Sequence, residues 1–341
     1  MESMSKRRTL LVLVLLVVAV SLLFAGGQTE RTVGDEFRII AQDPGTSFYS
    51  YATTMTGLLG ETFPSDVSVE VIPRGGSVAN PMTLNAGEGE IAFALSFPAS
   101  RAYHGDPEMY EGREPAQNIR GITGGMHTSY SFILARRDYV ERTGYTTLEE
   151  MFSGDRLPNV GMKPTGSVVL PIADTILKTV GSSLDELRSA NRLLQGTVPQ
   201  VGEMLQDGRV DIYFESVPLN HPGLTEVTLT NDLVYIPVPE VAVEDMLQQG
   251  FALATVPAGS YDGLDRDYDT PALSMVILAH KDAPEDLVYL FTKAIVEGRD
   301  KLGEEQPALA TWDPEVGMRP EYAAVPLHPG AQRYYDEQGW R

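Results

Sequence analysis

The stretch FRIIAQDPGTSFYSYATTMTGLLG, residues 37–60, decides the reading of the fold. It opens on a β-rich apolar run, Phe37–Ala41, breaks at Asp43-Pro44-Gly45, and resumes as a helical pattern over 48–60. A strand, a Gly-bearing turn and a helix in that order form one βα unit. The same grammar continues outward, with Val67–Ile72 before 78–86 and Ile91–Leu95 before 98–104. Tyr130–Ala135, after the Gly-rich 121–125, carries the chain out of this first region. A second region then repeats the pattern: Asn159–Met162, helices near 168–180, 184–195 and 199–206, and Val210–Phe214. Strand candidates Leu233–Val238 and Ala272–Ala279 follow, then one clear helix from Pro284 to Leu302. Alternation of this kind predicts βαβ units around a parallel sheet. The fold class expected is α/β, as two Rossmann-like lobes with a hinge and an interlobe ligand cleft. Lobe 1 takes residues 36–127 and 240–341, lobe 2 takes 128–239, and the alternative is one large doubly wound domain.

An internal echo supports two lobes on similar plans. Gly76-Ser77-Val78-Ala79-Asn80-Pro81 recurs as Gly166-Ser167-Val168-Val169-Leu170-Pro171. In both, the serine is expected to cap a helix and the proline to fall in its first turn, where the missing N–H costs nothing. Such helix starts present backbone N–H groups and about half a positive charge, which suits a carboxylate. A third start, Gly45-Thr46-Ser47, comes directly after the first strand, where ligands of α/β sheets bind. Thr46, Ser47 and Tyr49 are therefore ligand candidates there, and Tyr49 or Phe48 closes the apolar side. Arg74, just before Gly75-Gly76-Ser77, is a rare basic residue in an acidic chain, and its guanidinium is expected to fork onto a carboxylate.

The N-terminus carries Lys6, Arg7 and Arg8, an apolar run from Leu10 to Ala25, and then Gly26-Gly27-Gln28-Thr29-Glu30. That order predicts a secretory signal peptide over 1–25 and a polar linker over 26–35. The run is also short for the roughly 20 residues that span a hydrocarbon core. The formal charge of the 341-residue chain is −21, and removal of residues 1–25, with three basic side chains and Glu2, makes it −23. Such a surface repels phosphate backbones and anionic lipid, so no nucleic-acid partner is expected. With no cysteine, thiol-anchored lipid, disulfides and Cys-ligated metals are excluded. There is no Gly-x-Ser-x-Gly elbow, no phosphate loop and no histidine pair at metal spacing, so no catalytic residue, metal or cofactor is assigned. Of five scattered histidines, His127 beside Thr128-Ser129 is the least implausible catalytic candidate.

These residues resemble the TAXI family of solute receptors for TRAP transporters over about 36–341. The strongest part of the resemblance is the tail Pro326-Leu327-His328-Pro329-Gly330-Ala331-Gln332-Arg333-Tyr334-Tyr335-Asp336-Glu337-Gln338-Gly339. Gly45–Tyr49, Gly75–Asn80 and Asp207-Gly208-Arg209-Val210-Asp211 match weaker family motifs. The resemblance implies the type II periplasmic binding-protein fold, a periplasmic location, and a partnership with membrane permease subunits. It implies ligand contacts from Ser47, Tyr49, Ser77 and Asn80, with Thr165-Gly166-Ser167 as the matching loop of the other lobe and Phe214 at the end of the aromatic strand. Small dicarboxylates and amino acids such as glutamate are the ligands it suggests. Arg74 stands where the family commonly has threonine, and Glu215–Pro222 lacks its Gly-x-Pro spacing. A periplasmic enzyme acting on a small organic acid and the ligand-binding module of a membrane sensor are the alternative functions. Peptide mapping of the exported protein is expected to give a first residue near Gly26; a soluble product that retains Met1 removes the secretion argument.

Overall fold

The computed structural model of the chain describes residues 36–60, 62–154 and 156–340; the expected signal peptide and linker lie outside the described residues. The first region is β1 (Glu36–Ile40), α1 (Ser47–Leu59), β2 (Ser68–Ile72), α2 (Ala79–Asn85), β3 (Ile91–Leu95), α3 (Ser96–His104) and β4 (Ile119–Thr123). Then come β5 (Thr128–Arg136), α4 (Arg137–Thr143), α5 (Leu148–Ser153), β6 (Val160–Met162), α6 (Val169–Thr179) and α7 (Leu184–Ser189). β7 (Leu193–Gln195), α8 (Val198–Gln206), β8 (Ile212–Pro218), α9 (Pro222–Thr230) and β9 (Leu233–Tyr235) complete the middle of the chain. The remainder is α10 (Glu240–Gln248), β10 (Ala252–Val256), β11 (Tyr268–His280), α11 (Glu285–Glu297), α12 (Arg299–Glu305), α13 (Pro314–Gly317), α14 (Pro320–Ala323) and α15 (Pro329–Gln338). Among the described residues no helix is long and apolar enough to cross a membrane.

The strands hydrogen-bond in the order β2-β1-β3-β11-β5-β8-β6-β7, with β4 and β10 also on β11 and β9 on β5. Parallel pairing holds at the two ends, β2-β1-β3 and β8-β6-β7. The middle is antiparallel, because β11 runs against β3, β4, β5 and β10, and β5 runs against β8 and β9. The sheet is therefore mixed: the parallel βαβ units expected from alternation form its two ends, and the strands between them are antiparallel. Every residue of β3 is buried, as in a strand covered on both faces. Ile91, Phe93 and Leu95 enter the larger apolar cluster, and Ala92 and Ala94 enter a second one. The period of two assigns the two sets to opposite faces.

Two helices are shorter than the sequence predicts. The run 184–195 stops at Ser189 because Asn191 turns left-handed at φ 55° and Arg192 N–H closes on the Leu187 carbonyl. Leu193–Gln195 then joins β6 as a parallel strand. The helix over Pro284–Leu302 is two helices, broken at Gly298. A Cβ there would lie 2.8 Å from the Leu58 side chain of α1, so glycine lets the chain pass close against that helix.

Asn80 organises the loop between β2 and α2. It is fully buried, its Nδ2 donates to Ala41 O at 2.6 Å and Phe93 O at 2.7 Å, and its Oδ1 accepts from Gly76 N at 2.8 Å. The ends of β1 and β3 and the glycine loop are thus tied by one amide. Asn80→Ala leaves three buried backbone groups without that partner, and we expect a loss of about 3 kcal/mol or more of unfolding free energy, read from urea denaturation. A loss below about 1 kcal/mol shows that the amide is dispensable.

Candidate functional site

Thr46 fixes where α1 begins. Its backbone is extended, its Oγ1 accepts from Tyr49 N at 3.4 Å, and the same hydroxyl donates to Asp43 O at 2.8 Å. Thr46, and not Ser47, is therefore the cap, which leaves the Ser47 side chain for other work. The helix start borders a cavity of about 570 Å³. One wall is Gly45–Ser47 with Tyr49–Tyr51, a second is Pro218–Pro222 from the end of β8, and a third is Glu305–Ala308. The third wall is pinned to α1, since Gln306 Nε2 donates at 2.9 Å to both Ser50 Oγ and Thr54 Oγ1. Tyr51 is buried beside Ser47, and burial pushes its phenol well above the ordinary value while that serine counteracts.

Of the sequence candidates, Thr46, Ser47 and Tyr49 line this cavity together. The others lie elsewhere. Arg74 is on the surface, its side chain 60% exposed, with Nη2 2.6 Å from Glu88 Oε2. Its guanidinium is committed to Glu88, and the fork expected at the helix start is not built here. Neither serine of the echo is the helix cap: that position falls on Val78 in α2 and on Val168 in α6, both already helical. Ser167 Oγ accepts from Val169 N at 3.3 Å, a local turn bond, while Ser77 is buried. The prolines Pro81 and Pro171 do fall in first helical turns. Asn80 is consumed by backbone, Thr165 is exposed, and Phe214 is buried within β8. The two echo loops meet each other directly: Gly166 O accepts from Val78 N at 3.0 Å and Ala79 N at 3.4 Å. Gly76 permits this approach at φ 144°, because a Cβ there would come within 2.6 Å of Gly166 O.

Behind the second wall lies an ion pair that the sequence reading missed. Lys163 Nζ stands 2.7 Å from Glu215 Oε1, with the side chains 8% and 0% exposed. Glu215 is held by two further donors: Ser216 N donates to Oε1 at 2.6 Å, and the Tyr213 hydroxyl donates to Oε2. An ammonium has three donors, and Glu215 and the Ser216 carbonyl, at 3.5 Å, use two. The carboxylate thus fixes a cation next to the end of β8. The available signal was Lys163-Pro164-Thr165-Gly166-Ser167 after a strand, read for its Gly-Ser turn and not for its lysine.

Two histidines complete the surroundings. His221 lines the cavity, its Nδ1 accepting from Leu224 N at 3.2 Å as the cap of α9. Burial first, then the charge of Lys163, lowers its pKa to about 3. His127 packs edge-on against Tyr51, ring centres 5.5 Å apart, and burial lowers its pKa to about 3 as well. Both rings are neutral at pH 7, so Lys163 supplies the positive charge of this region.

A family model matches residues 39–339 of the chain and describes the NMT1-like family. The chain belongs to the NMT1-like family. Among solved structures, a protein of Bordetella bronchiseptica RB50 is similar at a TM-score of 0.53 and 13% identity, covering 90% of this chain and 99% of the other. MatC of Rhodopseudomonas palustris, with bound malate, is similar at a TM-score of 0.52 and 14% identity, covering 89% and 97%. At that identity the likeness is one of fold. The NMT1-like chain has an α/β fold, the class read from its strand–helix alternation.

The histidines give the site a pH signature. Each folded-state pKa, about 3, lies below the ordinary 6.5. The unfolded chain therefore binds the extra protons, and the stabilisation is present above about pH 6.5 and lost as pH falls. By pH 5 each ring removes about 2 kcal/mol. His221→Asn keeps a capping acceptor and removes one titration; its stability, measured by chemical denaturation at pH 7 and 5, is expected to fall about 2 kcal/mol less than the parent's. An equal fall in both proteins contradicts the assignment.

Proposed function

We propose that this NMT1-like chain is the extracytoplasmic solute receptor of a TRAP-type secondary transporter, of the TAXI group, and that it binds a small carboxylate between two lobes. The observation that carries this reading is the cavity between the start of α1 and Pro218–Pro222, with the buried Lys163 fixed by Glu215 behind it. A helix N-terminus and an ammonium in a region of low dielectric both favour an anion. The lobes are 36–127 with 240–341 and 128–239. Closure about the strands that join them buries the ligand, and the closed receptor docks on membrane permease subunits. Export by a signal peptide over 1–25 places the receptor in the periplasm. Its charge keeps it off anionic lipid and nucleic acid.

The test is calorimetry and thermal shift with a panel of small mono- and dicarboxylates and acidic amino acids. A ligand at 100 times its Kd stabilises the protein by about 2.7 kcal/mol. Lys163→Met alone strands a buried carboxylate and is expected to cost about 3–5 kcal/mol of stability. The double variant Lys163→Met with Glu215→Gln removes both charges, stays folded, and is expected to bind at least about tenfold more weakly. Arg74→Ala, whose partner is Glu88, is expected to stay within about twofold. Unchanged binding in the double variant sinks the role of Lys163, and a scattering profile unaltered at saturating ligand sinks closure.

A further inference from the structure

Three buried polar atoms on β5, on β8 and just before β5 have no hydrogen-bond partner: Ser131 Oγ, Ser216 Oγ and His127 Nδ1. Their residues are 2%, 7% and 4% exposed. Leaving such groups unmet costs free energy, and folded proteins rarely do so without a use for them. Their arrangement is regular. Ser131 of β5 and Ser216 of β8 are direct cross-strand partners, and the next pair on the same face is Ser129 with Pro218. Directly opposed residues hold their Cβ atoms about 5 Å apart, yet neither hydroxyl bonds the other.

The row leads inward from the cavity. Pro218 lines it, as does Tyr51, whose ring packs on His127, and His127 Nε2 is 3.3 Å from Ser129 Oγ. Of this row Lys163 Nζ reaches only the backbone carbonyl of Ser216, at 3.5 Å. A hydroxyl both donates and accepts, and a neutral imidazole does one at each nitrogen. This is a surface for an uncharged polar group, not for a second carboxylate.

Resting on the reading of the cleft as a carboxylate site, we propose that Ser131, Ser216 and His127 recognise an uncharged hydrogen-bonding group, such as a hydroxyl, carried by the ligand beside its carboxylate. A site built to bond such a group rejects the analogue that lacks it, because the site's own polar atoms then stay unpaired. The two serines act on specificity and add nothing to the stability of the ligand-free fold.

Calorimetry on the mature protein with three matched pairs tests this: glycolate and acetate, L-lactate and propionate, L-malate and succinate. In the pair that binds, the hydroxylated acid is expected to bind at least about tenfold more tightly. Ser131→Ala and Ser216→Ala are each expected to reduce that preference to about twofold or less, while the ligand-free Tm stays or rises. A merely structural hydroxyl gives the opposite pattern, a lower Tm with the preference retained. Acids that bind without preference, or a preference retained in both variants, overturn this inference and leave the carboxylate reading standing. Absence of binding by all six acids, and by the acidic amino acids of the wider panel, overturns the carboxylate reading, and the inference with it.

Discussion

A single strand, β11, holds the sheet together. Its thirteen residues pair through Ala272–Ser274 with β5 and through Met275–Ala279 with β3, while β10 and β4 add on its flanks. Eleven of those thirteen residues are buried, so the strand satisfies its backbone almost entirely through neighbours and not through water. Within the sheet, the hydrogen-bonded path from the β1–β3 end to the β6–β8 end runs through this strand and β5. The cavity sits where α1 from one end faces Pro218–Pro222 from the other.

The chemistry of the site follows from burial more than from residue count. A chain of net charge −21 offers abundant carboxylates, and most of its ion pairs lie at the surface, where they contribute little. Lys163 and Glu215 are different because water is excluded from both. A lone buried charge is costly, and a pair with good hydrogen bonds offsets most of that cost. Tyr213 and the Ser216 N–H also hold the carboxylate and so fix the lysine. The same exclusion of water keeps His127 and His221 neutral. The surroundings of the cavity thus combine a helix N-terminus, neutral polar groups and Glu305 in its lining, with the Lys163–Glu215 pair buried nearby.

The order of strands and helices was legible from local pattern. β1 and α1 lie within a residue of the stretch that opens the reading, because a βα unit is encoded by nearby residues: β-branched and apolar side chains, a Gly turn, then helical spacing. That Thr46, Ser47 and Tyr49 share one place was legible for the same reason, since a helix start after a strand is itself a local signal. Local pattern failed where a distant neighbour decided the outcome. Leu193–Gln195 looks helical until β6 is beside it, and at Gly298 the close Leu58 side chain leaves no room for a Cβ.

What the sequence by itself determined is the α/β class, the succession of elements, the acidic surface, the exclusion of cysteine chemistry, and one wall of the cavity. The tertiary structure alone decided which polar residues are free to act. Arg74 appears in sequence as a cation at a glycine turn, and in space its charge belongs to Glu88. Asn80 appears as a ligand contact, and in space three backbone groups consume it. Lys163 appears unremarkable and becomes the buried cation once Glu215, 52 positions later, folds beside it. The physical reason is that a side chain's charge and hydrogen-bonding capacity are spent on whatever lies within about 3 Å, and for these residues those neighbours are remote in sequence.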